Sequence, residues 1–408
     1  MLRIVLRSAS LRAVWALGLG GVAFTFGNLL LARALPAAEY GLLSLVIGIL
    51  SVASLAAPLG VDLVIARRGI RLGPMLRRFA LGASLLTGLL TAAVCGLVYE
   101  LSMTLLVAIA LGTAAAGVIQ TGVGHFQGER RFGLAAWLLQ ITNLALLPVA
   151  LVTLLSGLRA AGIPGLLIAL AAAAGAAGTW LLVVAQQRAL QEPPLTALWR
   201  EAVSLLTITM ASSVFMQLER LVLIPTIGVR GLALFGVVAA LVGSPFRMIQ
   251  SAVLFTLIPS MRAAQSVAAR RALLGRELGV VSGALAIGSL FIWLLAPPIA
   301  RWFLGGRYDL SDALMAAAIV SGMLKVLSAF ATAVAVALGD ARDLRHVSLT
   351  AWVSIGIAVL GAFATRDWGL TGVLYGISAG WLVRSLAATW IAAPHLVHGR
   401  GDLPHAVR

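Results

Sequence analysis

Four basic side chains stand inside long apolar stretches of this 408-residue chain. They are Arg220, Arg247, Lys325 and Arg384. An ionised side chain at bilayer depth costs several kcal/mol unless it faces protein or trapped water. Guanidinium and ammonium groups are the usual protein ligands of phosphate oxygens, and the guanidinium can bind two of them at once. These residues therefore predict a wet, cationic site for an anionic group.

Helical geometry brings further polar residues to the same faces. At about 100° per residue, Ser213, Gln217 and Arg220 fall within an arc of about 80°. Lys325 and Ser328 share an arc of about 60° on a later helix. Stripes of small polar residues also serve plain helix packing, so the functional interpretation depends on the cations. The predicted substrate-binding residues are Arg220, Arg247, Lys325, Arg384, Gln217, Ser213 and Ser328.

Three charged residues have alternative interpretations. Glu219 points about 100° away from Arg220, and it is expected either at the site or as an ion-pair partner of Arg247 or Lys325 on another helix. Arg384 either joins the cationic site or extends toward the membrane surface. Asp62, near the end of a predicted span over 41–63, is expected to pair with nearby arginines such as Arg67 rather than to bind a proton.

The balance of buried charge bears on the class of substrate. The first half of the chain places polar but almost uncharged residues in its spans, including Ser51, Ser54, Gln120, Gln140 and Asn143. A cation antiporter needs a carboxylate inside the membrane, whereas a substrate with an anionic group such as phosphate needs basic side chains. The excess of cations favours the anionic substrate.

Residue patterns typical of catalysis are missing from the sequence. It contains no Walker loop, and its histidines, including His125, His395 and His398, have no ligand-like neighbours in sequence. The single cysteine, Cys95, lies in an apolar stretch and suits a small buried side chain. We therefore expect no cofactor, no metal site and no enzymatic activity.

Composition indicates a membrane protein that crosses the bilayer many times. Hydrophobic residues make up 61% of the chain and charged residues 11%, against about 25% charged in soluble domains. Apolar runs of about 20 residues recur along the length and predict twelve membrane helices. The net charge of +16 comes from arginines spread through short loops, which argues against nucleic acid as a partner.

A weak internal repeat divides the predicted helices into two sets of six. AEYGLLSLVIGIL at 38–50 aligns with ALFGVVAALVGSP at 233–245. The predicted fold is thus all-α, with two six-helix bundles related by a pseudo-twofold axis along the membrane normal. The predicted boundaries are 1–190 for the first bundle, 191–202 for a linker, and 203–408 for the second bundle with a short tail.

The distribution of basic residues predicts the orientation. Most of the 30 lysines and arginines fall in loops on the side of the N-terminus, among them Arg3, Arg7, Arg67 and Arg68. Loops rich in Lys and Arg stay in the cytoplasm, so both termini are expected there.

Four stretches in order carry a resemblance to a known family. They are LLARALPAAEYGLLSLVIGILSVASLAAPLGVDLVIARR at 30–68, LFGVVAALVGSPFRMIQSAVLFTLIPSM at 234–261, APPIARWFLGGRYDLSDALM at 296–315, and WGLTGVLYGISAGWLV at 368–383. Together they resemble polysaccharide flippases of the multidrug/oligosaccharidyl-lipid/polysaccharide exporter superfamily.

The resemblance implies a V-shaped pair of bundles around a central cavity that opens alternately to the two sides. It also implies transport of an undecaprenyl-pyrophosphate-linked oligosaccharide to the outer leaflet of a bacterial inner membrane, in contact with membrane lipid and with other polysaccharide-assembly proteins. A lipid II flippase falls within the same class. The alternatives are a multidrug/cation antiporter of the same superfamily and a membrane-embedded glycosyltransferase or polymerase; the short outer loops argue against the latter.

Overall fold

The chain folds almost entirely into α-helices in the computed structural model, which describes residues 9–185 and 193–397. The predicted all-α fold is confirmed. Arg3, Arg7, His398 and residues 191–192 of the predicted linker lie outside the described residues.

The first eight helices cover residues 9–184 and follow one another through short turns. In chain order they are α1 (Ala9–Ala34), α2 (Ala37–Ala56), α3 (Val61–Arg68), α4 (Pro74–Tyr99), α5 (Met103–Gly128), α6 (Phe132–Leu139), α7 (Ile141–Leu155) and α8 (Gly162–Val184). The predicted span over 41–63 is therefore too long at its end, because α2 stops at Ala56 and α3 begins as a separate helix at Val61.

The remaining helices begin at Leu195, inside the predicted linker. They are α9 (Leu195–Val238), a π-helical turn (Ala239–Gly243), α10 (Ser244–Ala263), α11 (Val267–Leu304), α12 (Asp312–Leu338), α13 (Ala341–Ala364), a 3₁₀ turn (Arg366–Trp368) and α14 (Gly369–Val397). Gly228 has non-helical backbone angles and divides α9 into two parts. Ser311 caps α12, and Asp340 and Asp343 form a capping box at α13.

Among the described residues, nine helical runs are long and apolar enough to cross a bilayer. The longest, Leu195–Ala263, contains the predicted spans over 203–226 and 231–260, which lie on either side of Gly228. Helices α1 and α14 occupy the first and last predicted spans. The chain is a multi-pass membrane protein, and its helices account for the twelve predicted crossings.

Two compact units divide the described residues, with unit 1 ending at Ile224 and unit 2 beginning at Pro225. The division falls inside α9. Most of the seventh predicted span, over 203–226, therefore packs with unit 1, although the repeat placed this span in the second bundle. The two sets of six crossings and their relation by a pseudo-twofold axis stay predictions.

Helix α5 is central to unit 1 and packs against α2, α3, α4, α6 and α8. Its many glycines and alanines let neighbouring backbones approach closely, which drives helix association in a membrane. Near its end, a Cβ on Gly124 would collide with the carbonyl oxygen of Asp62 in α3. An apolar cluster fills the same end of unit 1 and includes Ile65, Val123 and Leu198.

Unit 2 is built around α12 and α14, which pack against each other, with α13 beside α14 and α10 beside α12. Helix α11 differs, since its most apolar stretch buries no residue within the protein. Helices α13 and α14 cross where two glycines meet: a Cβ on Gly361 would lie 2.6 Å from the carbonyl oxygen of Gly376.

This glycine crossing gives a test of the fold. A methyl group added by Gly376→Ala would meet backbone atoms of α13, which cannot move aside cheaply. We expect Gly376→Ala to destabilise the protein by about 1–3 kcal/mol, measured as a lower thermal unfolding temperature in detergent. Gly356→Ala is the control, because that α13 position is open and alanine favours a helix by about 0.5–1 kcal/mol. Equal unfolding temperatures for the two variants would contradict the close approach of α13 and α14 at Gly361 and Gly376.

Candidate functional site

The predicted site residues of the seventh span lie on one buried face of α9 in unit 1. Ser213, Gln217 and Arg220 are all less than 10% exposed, and Arg220 is only 1% exposed. The residues repeat at intervals of three and four, which stacks them along one side of a helix. The Arg220 Nη1 donates a hydrogen bond of 2.8 Å to the Gln217 Oε1. The expected shared face is therefore present within this helix.

The walls around Arg220 come from α1 and α2. Its guanidinium lies over the Phe24 ring, 5.7 Å from the centroid, and its aliphatic chain packs where Gly48 has no side chain. Ser213 is close by on the same face and its Oγ is 3.4 Å from the carbonyl oxygen of Ser51. The cation is thus held by an amide, an aromatic face and a small residue that leaves space for it.

Glu219 is buried as well, at 1% exposure in unit 1. Its predicted ion-pair partners, Arg247 and Lys325, belong to unit 2. The proposed pairing stays a prediction. Because Glu219 precedes Arg220 on the same helix, unit 1 buries one acidic and one basic side chain at this level of α9.

A cavity of about 90 Å³ lies within unit 1 and is lined by uncharged residues. Its polar lining consists of Ser51, Ser54, Gln120, Thr142 and Asn143. The Asn143 Nδ2 donates to the Gln140 Oε1 at 2.8 Å, at the point where α6 ends and α7 begins. A cavity of this size with several polar groups can hold water. Four of the neutral polar residues noted in the first half of the sequence, Ser51, Ser54, Gln120 and Asn143, therefore share one polar space.

In unit 2, two predicted cations share one aromatic ring. Lys325 of α12 and Arg384 of α14 lie over Trp381, with the Lys325 Nζ 5.8 Å and the Arg384 Cζ 5.4 Å from the ring centroid. Trp381 is 1% exposed. The Ser385 Oγ lies 3.4 Å from the carbonyl oxygen of Leu324, which adds a polar contact between the same helices. Ser328 is buried one turn along α12.

Arg384 is buried to 6% exposure, so the alternative in which its side chain extends to the membrane surface is wrong. The residue lies three positions after Trp381 on the same helix, where side chains meet. A buried guanidinium over an aromatic face gains about 2 kcal/mol or more from the ring quadrupole. This contact makes burial of Arg384 possible.

Arg247 lies half-buried on α10, one turn after a change of helix type. The π-helical turn Ala239–Gly243 ends directly before Ser244 and Pro245. Proline lacks a backbone N–H and disturbs the helical pattern before it, and the Ser244 Oγ donates to the carbonyl oxygen of Ala239 at 3.2 Å. Such π turns are frequent at functional sites. The loosened backbone expected beside Arg247 is present.

Two further expectations need correction. Asp62 forms no salt bridge with any residue that the structure describes, because Arg67 and Arg68 instead bind Glu201, at 3.3 and 2.5 Å. His395 does have an acidic neighbour, since its Nε2 lies 2.9 Å from the Asp343 Oδ2 and joins the end of α14 to the start of α13. Neither partner is close in sequence, so spacing alone could not indicate them.

Sequence reasoning missed two residues that shape the site. Phe24 and Gly48 are ordinary members of apolar stretches, and no local signal relates them to Arg220 170 or more positions later in the chain. Trp381 had a signal, because an aromatic residue three positions before an arginine on a helix is placed for a cation–π contact.

Solved structures of transporters share this architecture, whereas neither a family model nor a curated protein sequence matches the chain. Lipid II flippase MurJ, in an inward closed conformation, is 11% identical with a TM-score of 0.67, covering 93% of this chain and 86% of that one. An inward-facing multidrug resistance MATE family transporter of the MOP superfamily is 15% identical with a TM-score of 0.59, covering 94% and 98%. A mutant of the Vibrio cholerae MATE transporter VcmN is 16% identical with a TM-score of 0.55, covering 95% and 98%.

These likenesses extend over nearly the full length of each chain. The protein is thus an all-helical multi-pass membrane protein. More narrowly, it has the fold that multidrug MATE transporters and a lipid II flippase share.

The space at Gly48 gives a test of how Arg220 is held. A Cβ at this position would lie 2.8 Å from the Arg220 Cδ, so Gly48→Ala must displace the arginine. We expect a loss of about 1–3 kcal/mol in unfolding free energy, measured by thermal or denaturant unfolding in detergent. Gly178→Ala in α8 meets nothing within 4 Å and should be neutral or slightly stabilising. Equal stability of the two variants would show that Gly48 is not needed to make space for the Arg220 side chain.

The shared ring in unit 2 gives a second test. Trp381→Leu removes buried packing and the aromatic face of two cations, and we expect a loss of about 3–5 kcal/mol. Trp381→Phe should lose less because it keeps a ring. Trp390→Leu, on the same helix but 78% exposed, should change stability by less than about 0.5 kcal/mol.

A double-mutant cycle separates the cation contact from packing. Combining Trp381→Leu with Lys325→Met should cost less than the sum of the single changes, with a coupling of about 0.5–3 kcal/mol. Strict additivity would show that the ring stabilises the helices by packing alone.

Proposed function

We propose that this protein is a flippase that moves a prenyl-pyrophosphate-linked oligosaccharide between the leaflets of a bacterial inner membrane by alternating access, with both termini in the cytoplasm. The observation that carries the proposal is the burial of cations in both units. Arg220 in unit 1 and Arg384 in unit 2 are each less than 10% exposed, and Lys325 lies beside Arg384 on Trp381.

The chemistry of these groups suits a pyrophosphate headgroup. A guanidinium presents several donors in a plane and binds phosphate oxygens in pairs, whereas an ammonium acts as a point charge. An amide and a phenyl ring contact Arg220, and an indole ring contacts Arg384. Fixed cations of this kind bind an anion with little reorganisation.

The rest of the proposed substrate suits other parts of the chain. The uncharged cavity of unit 1 offers hydroxyl and amide groups, which are the usual partners of sugar hydroxyls. The prenyl tail would remain in lipid, where apolar helix surfaces such as that of α11 face it. Ser213 and Gln217 in unit 1, and Ser328 and Arg247 in unit 2, stay the further substrate contacts that the sequence predicts.

A multidrug or cation antiporter is the second candidate, and one observation favours it. Glu219 is a carboxylate buried to 1% exposure, as binding of an organic cation or a proton would require. A MATE transporter of similar fold is a multidrug resistance protein, so the fold is compatible with the antiporter class. The larger number of buried cations supports the flippase instead.

Ligand binding distinguishes the two candidates. Undecaprenyl pyrophosphate should raise the unfolding temperature of the purified protein in detergent, because a ligand that binds the native state stabilises it. Lys325→Met should weaken this binding about 10–100-fold, as expected for loss of a charge-assisted contact of about 1.5–3 kcal/mol. Arg301→Gln removes the same charge from an exposed position at the end of α11 and should leave binding unchanged.

Two controls decide between the classes. Undecaprenol has the same tail without the pyrophosphate, and equal stabilisation by undecaprenol would exclude headgroup recognition. Stabilisation by the cation ethidium, without any by undecaprenyl pyrophosphate, would favour the antiporter. In cells, removal of the protein should abolish display of a surface glycan and cause the lipid-linked precursor to accumulate on the cytoplasmic side, whereas an antiporter predicts greater drug susceptibility.

A further inference from the structure

Asp62 is a buried carboxyl group that the proposed transport site does not use. It is the second residue of α3 and is 4% exposed. In the chain, α3 comes between the membrane-spanning helices Ala37–Ala56 and Pro74–Tyr99. Its Oδ1 is fully buried and accepts no hydrogen bond from any residue that the structure describes. An oxygen in such a place loses its hydration with no hydrogen bond to replace it.

The surroundings of Asp62 are apolar on each side of α3. Val61, Val64 and Ile65 belong to one cluster with Val123 of α5 and Leu198 of α9. Burial among these side chains raises the pKa of Asp62 to about 6, although the backbone N–H of Leu63 partly opposes the shift. The carboxyl group therefore exchanges its proton near physiological pH.

The charged groups of the neighbouring elements are already engaged with one another. On α5, the His125 Nε2 lies 3.7 Å and the Arg71 Nε 3.9 Å from the Glu129 Oε1. On α9, Glu201 is bound by Arg67 and Arg68, which belong to α3 itself. The Nε of Arg77, at the start of α4, donates to the carbonyl oxygen of Gly73. These contacts leave Asp62 to be neutralised by a proton.

A proton also fits better than a metal cation. Within the part of the chain that the structure describes, no group of three or more acidic, histidine or cysteine side chains could hold a metal ion. Alkali and alkaline-earth cations need several oxygen ligands, whereas a proton needs one.

Asp62 lies at a tightly packed junction. The chain turns between α2 and α3 through Leu59 and Gly60, both with positive φ. A Cβ on Gly60 would collide with the carbonyl oxygen of Ala202 in α9, and a Cβ on Gly124 would collide with that of Asp62. Helix α3 is thus fixed between α5 and α9, and α9 is the helix that continues from unit 1 into unit 2.

We propose that Asp62 is a proton-binding site whose deprotonation weakens the packing of α3 between α5 and α9. The neutral acid fits the apolar junction. The carboxylate gains free energy only where α3 shifts enough to admit water, so the protonation state selects between two arrangements of this junction. This inference concerns a proton and does not depend on the identity of the transported substrate.

Infrared titration of the purified full-length protein tests proton binding directly. The C=O stretch of protonated carboxyls should include a component in the wild type that disappears as the pH rises through about 6, and this titrating band should be missing from Asp62→Asn. Asp62→Glu should restore a titrating band at a shifted frequency. Glu129→Gln removes an ion-paired carboxyl from the same end of unit 1 and should leave the band intact. A titrating band that persists in Asp62→Asn, or a wild type without one at about pH 5, would overturn the proposal.

Stability and exchange measurements test the effect on packing. Because the folded state holds the proton of Asp62 more tightly than the unfolded state, the stability of the wild type relative to Asp62→Asn should fall as the pH rises from about 4 to about 6 and stay level above. Asp62→Asn mimics the neutral acid, so it should match the wild type below this window and unfold at a higher temperature above it. Amide exchange in residues 59–68 should then be slower in Asp62→Asn than in the wild type at about pH 7.5.

His125 is the competing titratable group, because histidine side chains in general change charge between about pH 5 and 8. His125→Gln should leave the pH dependence in place. If the dependence survives Asp62→Asn and disappears in His125→Gln, the histidine is the proton-binding group and the proposal fails. Should Asp62→Asn not fold, the infrared band and pH dependence of Asp62→Glu decide the question in the same way.

Discussion

The burial of Arg220 is the constraint on which the packing of unit 1 at this level depends. A guanidinium at 1% exposure within a membrane protein needs polar or aromatic neighbours and space for a long side chain. The Gln217 amide, the Phe24 ring and the missing side chain of Gly48 supply these from α9, α1 and α2. Three helices are thus held in register by one cation. In unit 2, Trp381 serves Lys325 and Arg384 in a comparable way through its aromatic face.

Features with a local cause could be predicted from the sequence. Long apolar runs became helices because a membrane leaves the backbone no other way to satisfy its hydrogen bonds within one segment. Gln217 and Arg220 meet because a spacing of three residues places side chains together on any helix. Pro245 indicated a disturbed backbone, and a π turn precedes it. Each of these conclusions needs only a few neighbouring residues.

Features that depend on distant residues could not be predicted. Gly48 and Phe24 become important only when α1 and α2 pack against α9, and nothing near them in the chain reveals it. Arg67 seemed the natural partner of Asp62 because it lies on the same short helix, yet Arg67 and Arg68 both bind Glu201 of α9. Competition between carboxylates is decided by tertiary position. The break between α2 and α3 is a different case, because Pro58 and Gly60 on either side of Leu59 are typical turn residues and their local signal was passed over within a long apolar run.

The two compact units each contain a buried cation. The sequence indicated a cationic second half and a neutral first half, but Arg220 packs with unit 1, as does the uncharged cavity lined by Ser51 and Asn143. Cationic character is therefore not a specialisation of one unit. Unit 1 combines a buried guanidinium with neutral hydroxyl and amide groups. Unit 2 offers cations on an aromatic ring. The buried cations of the two units thus differ in their neighbours, which include an amide and a phenyl ring for Arg220 and an indole ring for Lys325 and Arg384.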